Sequence, residues 1–255
     1  MKLYLSLIIL LTSTLAQANT KLFCKNRLSS GGVQNILKDT NNTLNFMNHG
    51  GIINGGVCWW HSRFNRNAAF LAYFQPTQGK PTYQEALQII TEIRKGKSIV
   101  TIPGYKNLSD FSLDYGEEIQ RTLENWQKVD GFVRQKWIGG LKGSHIISAE
   151  KLSGMMDELY QKVAVQKEVI YQKLQLEGLD AHAWLVLGMD KLRNGYRLHV
   201  LDSNEITRTD TYIYKKGMTH LEYHLVGDLP FVPYSENMKE LERLKSIVAG
   251  SCNAR

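Results

Sequence analysis

The sequence lacks any long apolar run after its first residues, and it is poor in proline and cysteine, with five and three of these in 255 residues. It also lacks internal repeats and low-complexity tracts. The absence of a long apolar run excludes a membrane-spanning helix in the rest of the chain, because such a helix needs about 20 consecutive apolar residues. The remaining composition is that of an ordinary globular protein, and this length fits one large domain or two lobes that share a core.

The start of the chain has the pattern of a secretory signal peptide. Lys2 supplies a basic start, an apolar run extends to Leu11, and small residues at a cleavage site end at Ala18. The apolar run is too short to cross a bilayer. We therefore expect residues 1–18 to be removed, and residues 19–255 to be exported to the periplasm or the extracellular space without a membrane span.

Basic residues outnumber acidic ones, with a formal net charge of +7, but they are scattered and form no stripe. This pattern is typical of a solvated surface rather than of a nucleic-acid interface. His220 and His224 have a spacing that suits a metal on a helix, but they fall in a predicted strand without a carboxylate motif. We expect no nucleic-acid partner, no metal and no cofactor, and we expect a monomer.

The three cysteines predict one disulfide and one free thiol. In an oxidising compartment two of them should pair. Cys24 and Cys252 lie near opposite ends of the chain, and chain ends are often close in space. We predict a disulfide between them, which leaves Cys58 as the odd thiol. An unpaired thiol in such a compartment is open to oxidation, so its presence favours a use for Cys58.

The stretch from residue 54 to residue 74 presents that thiol as a candidate nucleophile. Gly55 and Gly56 precede Cys58 in a predicted turn. Apolar residues then recur at helical spacing, at Trp60, Phe64, Ala68, Leu71 and Phe74. Unpaired N–H groups and the positive end of the helix dipole favour a thiolate over a thiol at this position. The alternative is that Cys58 is a small buried core residue.

Other residues of this helix have ordinary structural interpretations. His61 lies one turn after Cys58, and we expect it at the surface or at the rim of the site. Arg63 and Arg66 are expected on the solvated face of the helix. The two tryptophans, Trp59 and Trp60, are expected to pack in the core.

Helical patterns dominate the first part of the mature chain. Residues 21–51 are polar and rich in Asn and Gly, which predicts loop with short extended pieces. Thr82 begins a capping box, Asp114 lies near the predicted start of a helix that ends at Lys128, and Ser148 caps another helix. A short strand is predicted just before Pro103.

Antiparallel strands dominate the chain after about residue 168. An apolar strand begins at Ala181, and Asn194-Gly195 predicts a tight hairpin. A second hairpin is predicted around Gly217, and a last helix capped by Ser235. These patterns predict an α+β protein with a mainly helical lobe at 19–165 and a mainly β lobe at 166–255. An active site commonly lies in the cleft between such lobes.

A cysteine nucleophile needs a base, and the base needs a group that orients it. His182 stands at the head of the apolar strand, and the returning strand of the Asn194-Gly195 hairpin ends near Asp202. The hairpin brings these residues to the same end of the strand pair. Asp202 and Asn204 share a strand face, so either is a candidate partner for His182.

These features resemble the papain-like cysteine peptidases. The chain has a helix-borne cysteine followed by Trp59, a histidine at the head of a strand, and Asp202-Ser203 where the family has an Asn-Ser pair. His182 follows Cys58 by 124 positions, against about 130–150 in the family pattern. The aspartate is similar to bacterial branches such as the bacteriocin-processing peptidases. Residues 75–165 match nothing in the family.

The resemblance implies a papain-like two-lobe fold with the active site in the cleft. It assigns Cys58 as nucleophile, His182 as general base and acid, and Asp202 as the orienting residue, with Asn204 as the alternative third member. The family's oxyanion-hole Gln corresponds to Ile52 here, so we assign Asn54 and the Cys58 N–H to that role.

The same resemblance implies cleavage of a peptide or isopeptide bond in a peptide or protein substrate. Two alternatives stay open. One is a transglutaminase-like acyltransferase with the same triad. The triad does not determine whether water or an amine accepts the acyl group. The other is a catalytically inactive exported binding protein with the same fold.

Overall fold

The computed structural model describes residues 20–52, 55–130, 144–176, 181–225 and 228–254. The predicted signal peptide and the predicted oxyanion donor Asn54 lie outside these ranges. Residues 20–28 are helical. The later helices are α1 (Gly32–Lys38), α2 (Cys58–Leu71), α3 (Tyr83–Lys95), α4 (Leu108–Lys128), α5 (Ala149–Tyr160), which continues as a π turn over Gln161–Val165, and α6 (Lys239–Asn253).

The strands form a small parallel pair and a larger antiparallel sheet. Their bounds are β1 (Ala72–Gln75), β2 (Val100–Pro103), β3 (Ile170–Gln175), β4 (Ala181–Leu192), β5 (Gly195–Asp202), β6 (Asp210–Lys215), β7 (Leu221–Tyr223) and β8 (Leu229–Ser235). Strands β1 and β2 pair in parallel, and the six-stranded sheet has the order β6-β5-β4-β3-β8-β7. The predicted mixture of helices with an antiparallel sheet is confirmed.

Helix α2 lies between two apolar cores and therefore fixes the position of the site. Its residues Phe64 and Ala68 belong to a core formed with the helices and with β1 and β2. Ala69 and Phe70, on another face, belong to the core formed with the large sheet. Most of the helix is buried, including its first residue, Cys58.

Several local predictions are confirmed by the caps and turns. The Thr82 side chain accepts from the Glu85 N–H, and the Glu85 carboxylate accepts from the Thr82 N–H, so the capping box at the start of α3 is complete. Ser148 caps α5 by accepting from the Lys151 N–H. The Asn194-Gly195 turn joins β4 to β5 as predicted.

The prediction that residues 21–51 are mainly loop is wrong, because this segment contains helical residues 20–28 and α1. Long-range hydrogen bonds hold it in place. The Arg27 guanidinium donates to the Phe70 and Ala72 carbonyls at 2.9 and 2.7 Å. Gln34, on α1, donates to the Val163 carbonyl at 2.9 Å. These contacts with distant parts of the chain outweigh the turn-forming composition of the segment.

The predicted boundaries of two helices also need correction. Helix α4 begins at Leu108 rather than near Asp114, because Asn107 caps it and a kink at Tyr115 separates its first turns from the rest. Helix α2 ends at Leu71, so Phe74 lies in β1 instead of on the helix.

The predicted hairpin around Gly217 does not form as a strand pair. Strand β7 pairs with β8, and β6 pairs with β5, so these two strands lie at opposite ends of the strand order. Strand β8 escaped prediction because it contains Pro230 and Pro233, which are unusual in strands. Ser235 ends β8 and does not cap α6, whose N-cap position is Met238.

The predicted disulfide between Cys24 and Cys252 is confirmed. The two Cα atoms lie 5.8 Å apart, and the bond links positions separated by 228 residues. It joins the first helical segment to the last helix, while Cys58 is a free, buried thiol. Within the described ranges, no helix has the length and apolar character needed to cross a membrane.

Candidate active site

Cys58 is the first residue of α2 and lies beside the head of β4. Its side chain is 5% exposed, and its Sγ atom lies 3.8 Å from the Ala181 carbonyl oxygen. The first N–H groups of a helix have no intrahelical acceptor and carry the positive end of the helix dipole. Cys58 therefore occupies the helix position expected of an activated thiol.

Two hydrogen bonds, donated by side chains close to Cys58 in sequence, join the start of α2 to β4. The Trp59 indole N–H donates to the His182 carbonyl at 3.1 Å. One turn later, the Ser62 hydroxyl donates to the Ala183 carbonyl at 3.1 Å. These bonds hold the backbone of His182 next to the residue that follows Cys58.

Asp202, rather than Asn204, contacts the histidine ring. The β4–β5 register pairs Trp184 with Asp202, so the Asp202 carboxylate reaches back to His182. His182 Nε2 lies 2.7 Å from Asp202 Oδ1, and both side chains are buried. Asn204 instead donates its backbone N–H to Asp202 Oδ1 at 2.8 Å. Of the two candidates left open by the sequence, the structure brings Asp202 to His182.

His182 is held between Asp202 and Cys58. Burial by itself would lower the pKa of His182, but the charges of Asp202 and Cys58, together with the hydrogen bond to Asp202, outweigh it and raise the pKa to about 10. Because Nε2 contacts Asp202, Nδ1 is the ring nitrogen available to Cys58. This arrangement favours an imidazolium at neutral pH.

Tyr223 completes the environment of the carboxylate, and no sequence pattern predicted it. Its hydroxyl donates to Asp202 Oδ2 at 3.1 Å, so both carboxylate oxygens accept hydrogen bonds. The Tyr223 ring also packs against the imidazole, with ring centroids 5.1 Å apart. A buried carboxylate with satisfied oxygens is a stable partner for a charged histidine.

One face of α4 holds the segment that leads into Cys58. Gln120, Glu124 and Gln127 recur at helical spacing on this face. The Gln120 amide donates to the His49 carbonyl at 2.9 Å, and Glu124 accepts from the Gly51 N–H at 3.3 Å. Gln127 accepts from the Ile52 N–H and donates to the Gly56 carbonyl, each at 2.9 Å. This contact gives part of the stretch 75–165 a role at the site.

His61 is buried, so its expected surface or rim position is wrong. Its Nε2 lies 3.0 Å from the Phe46 carbonyl oxygen, and its Nδ1 lies 3.2 Å from the Asn65 amide nitrogen. Burial lowers the pKa of His61 to about 4. The ring is therefore neutral, donating through Nε2 and accepting at Nδ1. It supports the structure around the site without carrying charge.

The expected exposure of Arg63 and Arg66 is also wrong. Arg66 is fully buried and pairs with Glu236 and Glu240 at the start of α6. Arg63 pairs with Asp130 and with Glu240. These carboxylates come from parts of the chain far from α2, which is why the helix pattern alone did not reveal the pairing.

A charged pocket of about 360 Å³ adjoins Trp59 on the side of α2 that faces β3. Lys173 lies over the Trp59 ring, with Nζ 3.9 Å from the ring centroid. Arg63, Tyr171 and Glu240 also line the pocket. Charged groups of both signs therefore line a pocket next to Trp59, the residue that follows Cys58.

Replacing Gly56 by Ala is expected to disturb the site. Gly56 has a φ of +78°, and a Cβ atom there would lie 2.4–2.9 Å from the Asn48 amide. We expect a loss of about 1–3 kcal/mol in the free energy of unfolding. Alkylation of Cys58 by iodoacetamide should also slow several-fold.

Gly79→Ala is the matched control, because a Cβ atom at Gly79 would meet nothing within 4 Å. Urea unfolding and alkylation rates measured on both variants test the prediction. Equal behaviour of the two variants would contradict the account of Gly56.

The described residues contain no group of three or more His, Cys, Asp or Glu side chains that could hold a metal ion. His224 lies 3.0 Å from Asp210 through Nε2, while His220 Nδ1 contacts the neighbouring Thr219 hydroxyl. Comparisons of the whole chain with protein-family models, curated proteins and solved structures find no match in any of the three.

Proposed function

We propose that this protein is an exported cysteine peptidase with a papain-like two-lobe arrangement. Its triad would be Cys58, His182 and Asp202, and its substrates would be peptides or proteins. The observation that carries the proposal is the position of His182, whose Nε2 lies 2.7 Å from Asp202 Oδ1 and whose pKa is raised to about 10, against the effect of burial, by the charges of Asp202 and Cys58. The distribution of helices before residue 166 and antiparallel strands after it supports the two-lobe arrangement.

The chemistry follows from the protonation states of the pair. The Cys58 thiolate attacks the carbonyl carbon of the scissile bond while His182 holds a proton on Nδ1. As the tetrahedral intermediate collapses, His182 gives this proton to the leaving amine. His182 then accepts a proton from water, which attacks the thioester and releases the acyl group. Asp202 keeps the ring oriented through Nε2.

The oxyanion requires hydrogen-bond donors near the Cys58 backbone. The Cys58 N–H lies in the first turn of α2, where helix N–H groups have no intrahelical acceptor. We propose Asn54 as the second donor. Among the described residues, the Asn48 and Gln127 amides near this segment already donate to Asn204 and to the Gly56 carbonyl.

The proposed export is supported by the Cys24–Cys252 disulfide. Structural disulfides form and persist in oxidising compartments such as the periplasm and the extracellular space. The amino-terminal pattern at residues 1–18 is the second support.

Acylation by activated peptide esters tests the proposal without knowledge of the natural substrate. A panel of N-acylated amino-acid p-nitrophenyl esters should give a burst of one p-nitrophenolate per protein. Mass spectrometry should locate the acyl group on Cys58. Cys58→Ala should abolish the burst, while Cys24 and Cys252 remain paired in both proteins.

The fate of the acyl group separates the alternatives. Faster release in water than transfer to added glycinamide supports a peptidase. Preferential formation of the amide would replace it by an acyltransferase. Failure of every ester to acylate Cys58 would contradict both, and would favour an inactive binding protein.

A further inference from the structure

A chain of hydrogen bonds outside the triad leads from the start of α2 to Asp202. The Val57 N–H donates to Asn48 Oδ1. Asn48 Nδ2 donates to Asn204 Oδ1 at 3.0 Å, and Asn204 Nδ2 donates to the Tyr223 hydroxyl at 3.0 Å. The Tyr223 hydroxyl then donates to Asp202 Oδ2 at 3.1 Å. Three segments of the chain, distant in sequence, are joined in this way.

The chain closes into a ring through the triad itself. Val57 immediately precedes Cys58, and the next residue, Trp59, donates its indole N–H to the His182 carbonyl at 3.1 Å. His182 in turn contacts Asp202 at 2.7 Å. The nucleophile and the carboxylate are thus connected by two routes, one through the imidazole and one through Asn48, Asn204 and Tyr223.

All the donors in the outer route point toward Asp202. Each amide or hydroxyl accepts from the previous member and donates to the next, and the last acceptor is a carboxylate. Burial and the charge of Asp202 raise the pKa of Tyr223, which keeps its hydroxyl protonated as a donor. Hydrogen bonds aligned in one direction polarise one another and strengthen the bond to the final acceptor.

Burial makes the link between Tyr223 and Asp202 costly to lose. Asp202 and Tyr223 are each 1% exposed, so water does not replace a lost partner easily. The Asn48 backbone N–H also donates to the Ser203 carbonyl at 2.7 Å, which ties Asn48 to the turn after Asp202. The amide has room because residue 56 is glycine, where any Cβ would contact it.

We propose that Asn48, Asn204 and Tyr223 are positioning residues that hold Asp202 and His182 in register with the start of α2. They act through the triad and touch no reacting atom. The proposal rests on the proposed function, since it assigns a purpose to the same three residues. It adds that the reactivity that His182 gives to Cys58 also depends on the hydrogen bonds through Asn48, Asn204 and Tyr223. These bonds bypass the imidazole.

The ratio of alkylation rates at about pH 6 and about pH 9 tests the role of this route. A thiolate held by His182 reacts with iodoacetamide at the lower pH, whereas an ordinary thiol reacts mainly at the higher pH. We expect Asn48→Ala and Tyr223→Phe, each of which removes two hydrogen bonds of the route, to lower this ratio about tenfold each. The double variant should show a smaller loss than the product of the two.

Two variants control for lost packing or lost stability. Asn67→Ala removes a buried amide that donates to the Ile93 carbonyl at 2.9 Å, away from Asp202. Tyr212→Phe removes a hydroxyl that has no hydrogen-bond partner among the described residues, from a ring stacked 6.1 Å from Tyr223. Both controls should keep the wild-type ratio. Equal ratios in Tyr223→Phe and Tyr212→Phe would overturn the proposal.

Proton NMR of the His182 Nε2–H signal separates failure of this proposal from failure of the proposed function. A short buried hydrogen bond to a carboxylate gives a low-field signal whether or not Cys58 reacts. We expect this signal to shift or to broaden by exchange in Asn48→Ala and Tyr223→Phe. An unchanged signal in both would overturn the positioning role, even if wild-type Cys58 is fully reactive. A changed signal with an unreactive wild-type thiol would overturn only the peptidase.

Discussion

Asp202→Asn is expected to slow acylation of Cys58 by about 10²-fold or more, a size typical of damaged general acid–base catalysis. The substituted amide keeps an oxygen for the imidazole but removes the negative charge. The charge of Asp202 is the largest of the contributions that raise the pKa of His182, and burial opposes them. Without that charge, burial favours the neutral ring, and the proton needed by the leaving group is lost at lower pH.

The pH dependence of the acylation rate should change in a defined direction. In the wild-type protein we expect the rate to fall on the alkaline side near pH 10, where His182 loses its proton. In Asp202→Asn this limb should move down by at least about one pH unit. Rate profiles measured with N-acylated amino-acid p-nitroanilides, whose leaving amine takes the His182 proton, test the shift at constant ionic strength.

A matched pair elsewhere on the same strands is the control. His199 Nε2 lies 2.8 Å from Asp190, which is 54% exposed in its side chain. Asp190→Asn removes a His–Asp contact of the same chemistry, far more exposed than that of His182. We expect its rate profile to match the wild type. A shift of equal size in both variants would contradict the assignment of Asp202.

The same contact predicts a pH-dependent stability. The pKa of His182 is about 10 in the folded protein, against about 6.5 in an unfolded chain. A raised pKa means that the protonated ring stabilises the fold fully below about pH 6.5. That stabilisation is lost as the pH rises toward 10. The difference in unfolding free energy between wild type and Asp202→Asn should therefore shrink between these pH values in urea titrations.

Arg66→Ala is expected to destabilise the fold by about 3–5 kcal/mol, as for other broken buried ion pairs. The Arg66 guanidinium is fully buried and pairs with Glu236 and Glu240, the latter at 2.9 Å. Its removal leaves the partly buried Glu236 without this cation. The thermal midpoint should fall by about 6–20 °C for a chain of this size. Calorimetry and urea unfolding measure the loss.

Arg197→Ala is the matched control for Arg66. Arg197 pairs with Asp190 at 3.8 Å, and both side chains are about half exposed. Exposed ion pairs contribute roughly 0–1 kcal/mol. We expect this variant to unfold within about 1 kcal/mol of the wild type. A loss of less than about 1 kcal/mol in Arg66→Ala would contradict the conclusion that its buried arginine anchors α2.

Features fixed by short-range chemistry could be predicted from the sequence. The Thr82 capping box and the Asn194-Gly195 turn depend on residues within a few positions of one another. The Cys24–Cys252 disulfide was predictable because only three cysteines exist and two lie near the ends of the chain. That hairpin also predicted that His182 lies near Asp202 or Asn204, and the contact with Asp202 is seen only in the structure.

Features that depend on distant partners could not be predicted. Arg66 looked solvated because Glu236 and Glu240 are about 170 positions later in the sequence. Strand β8 was hidden by its two prolines, and it pairs with the distant strand β3 as well as with β7. Asn48 and Tyr223 belong to no motif, and only the folded chain brings them to Asp202.

The pH dependence of Cys58 alkylation is the most direct test of the central claim. Wild-type protein and His182→Ala would be treated with iodoacetamide from about pH 4 to about pH 9. The Cys24–Cys252 disulfide is kept intact, so that Cys58 is the free thiol. We predict rapid alkylation of the wild type already at about pH 6, and loss of that reactivity in His182→Ala. A slow thiol with the same profile in both proteins would contradict the ion pair, and Cys58 would then be a core residue.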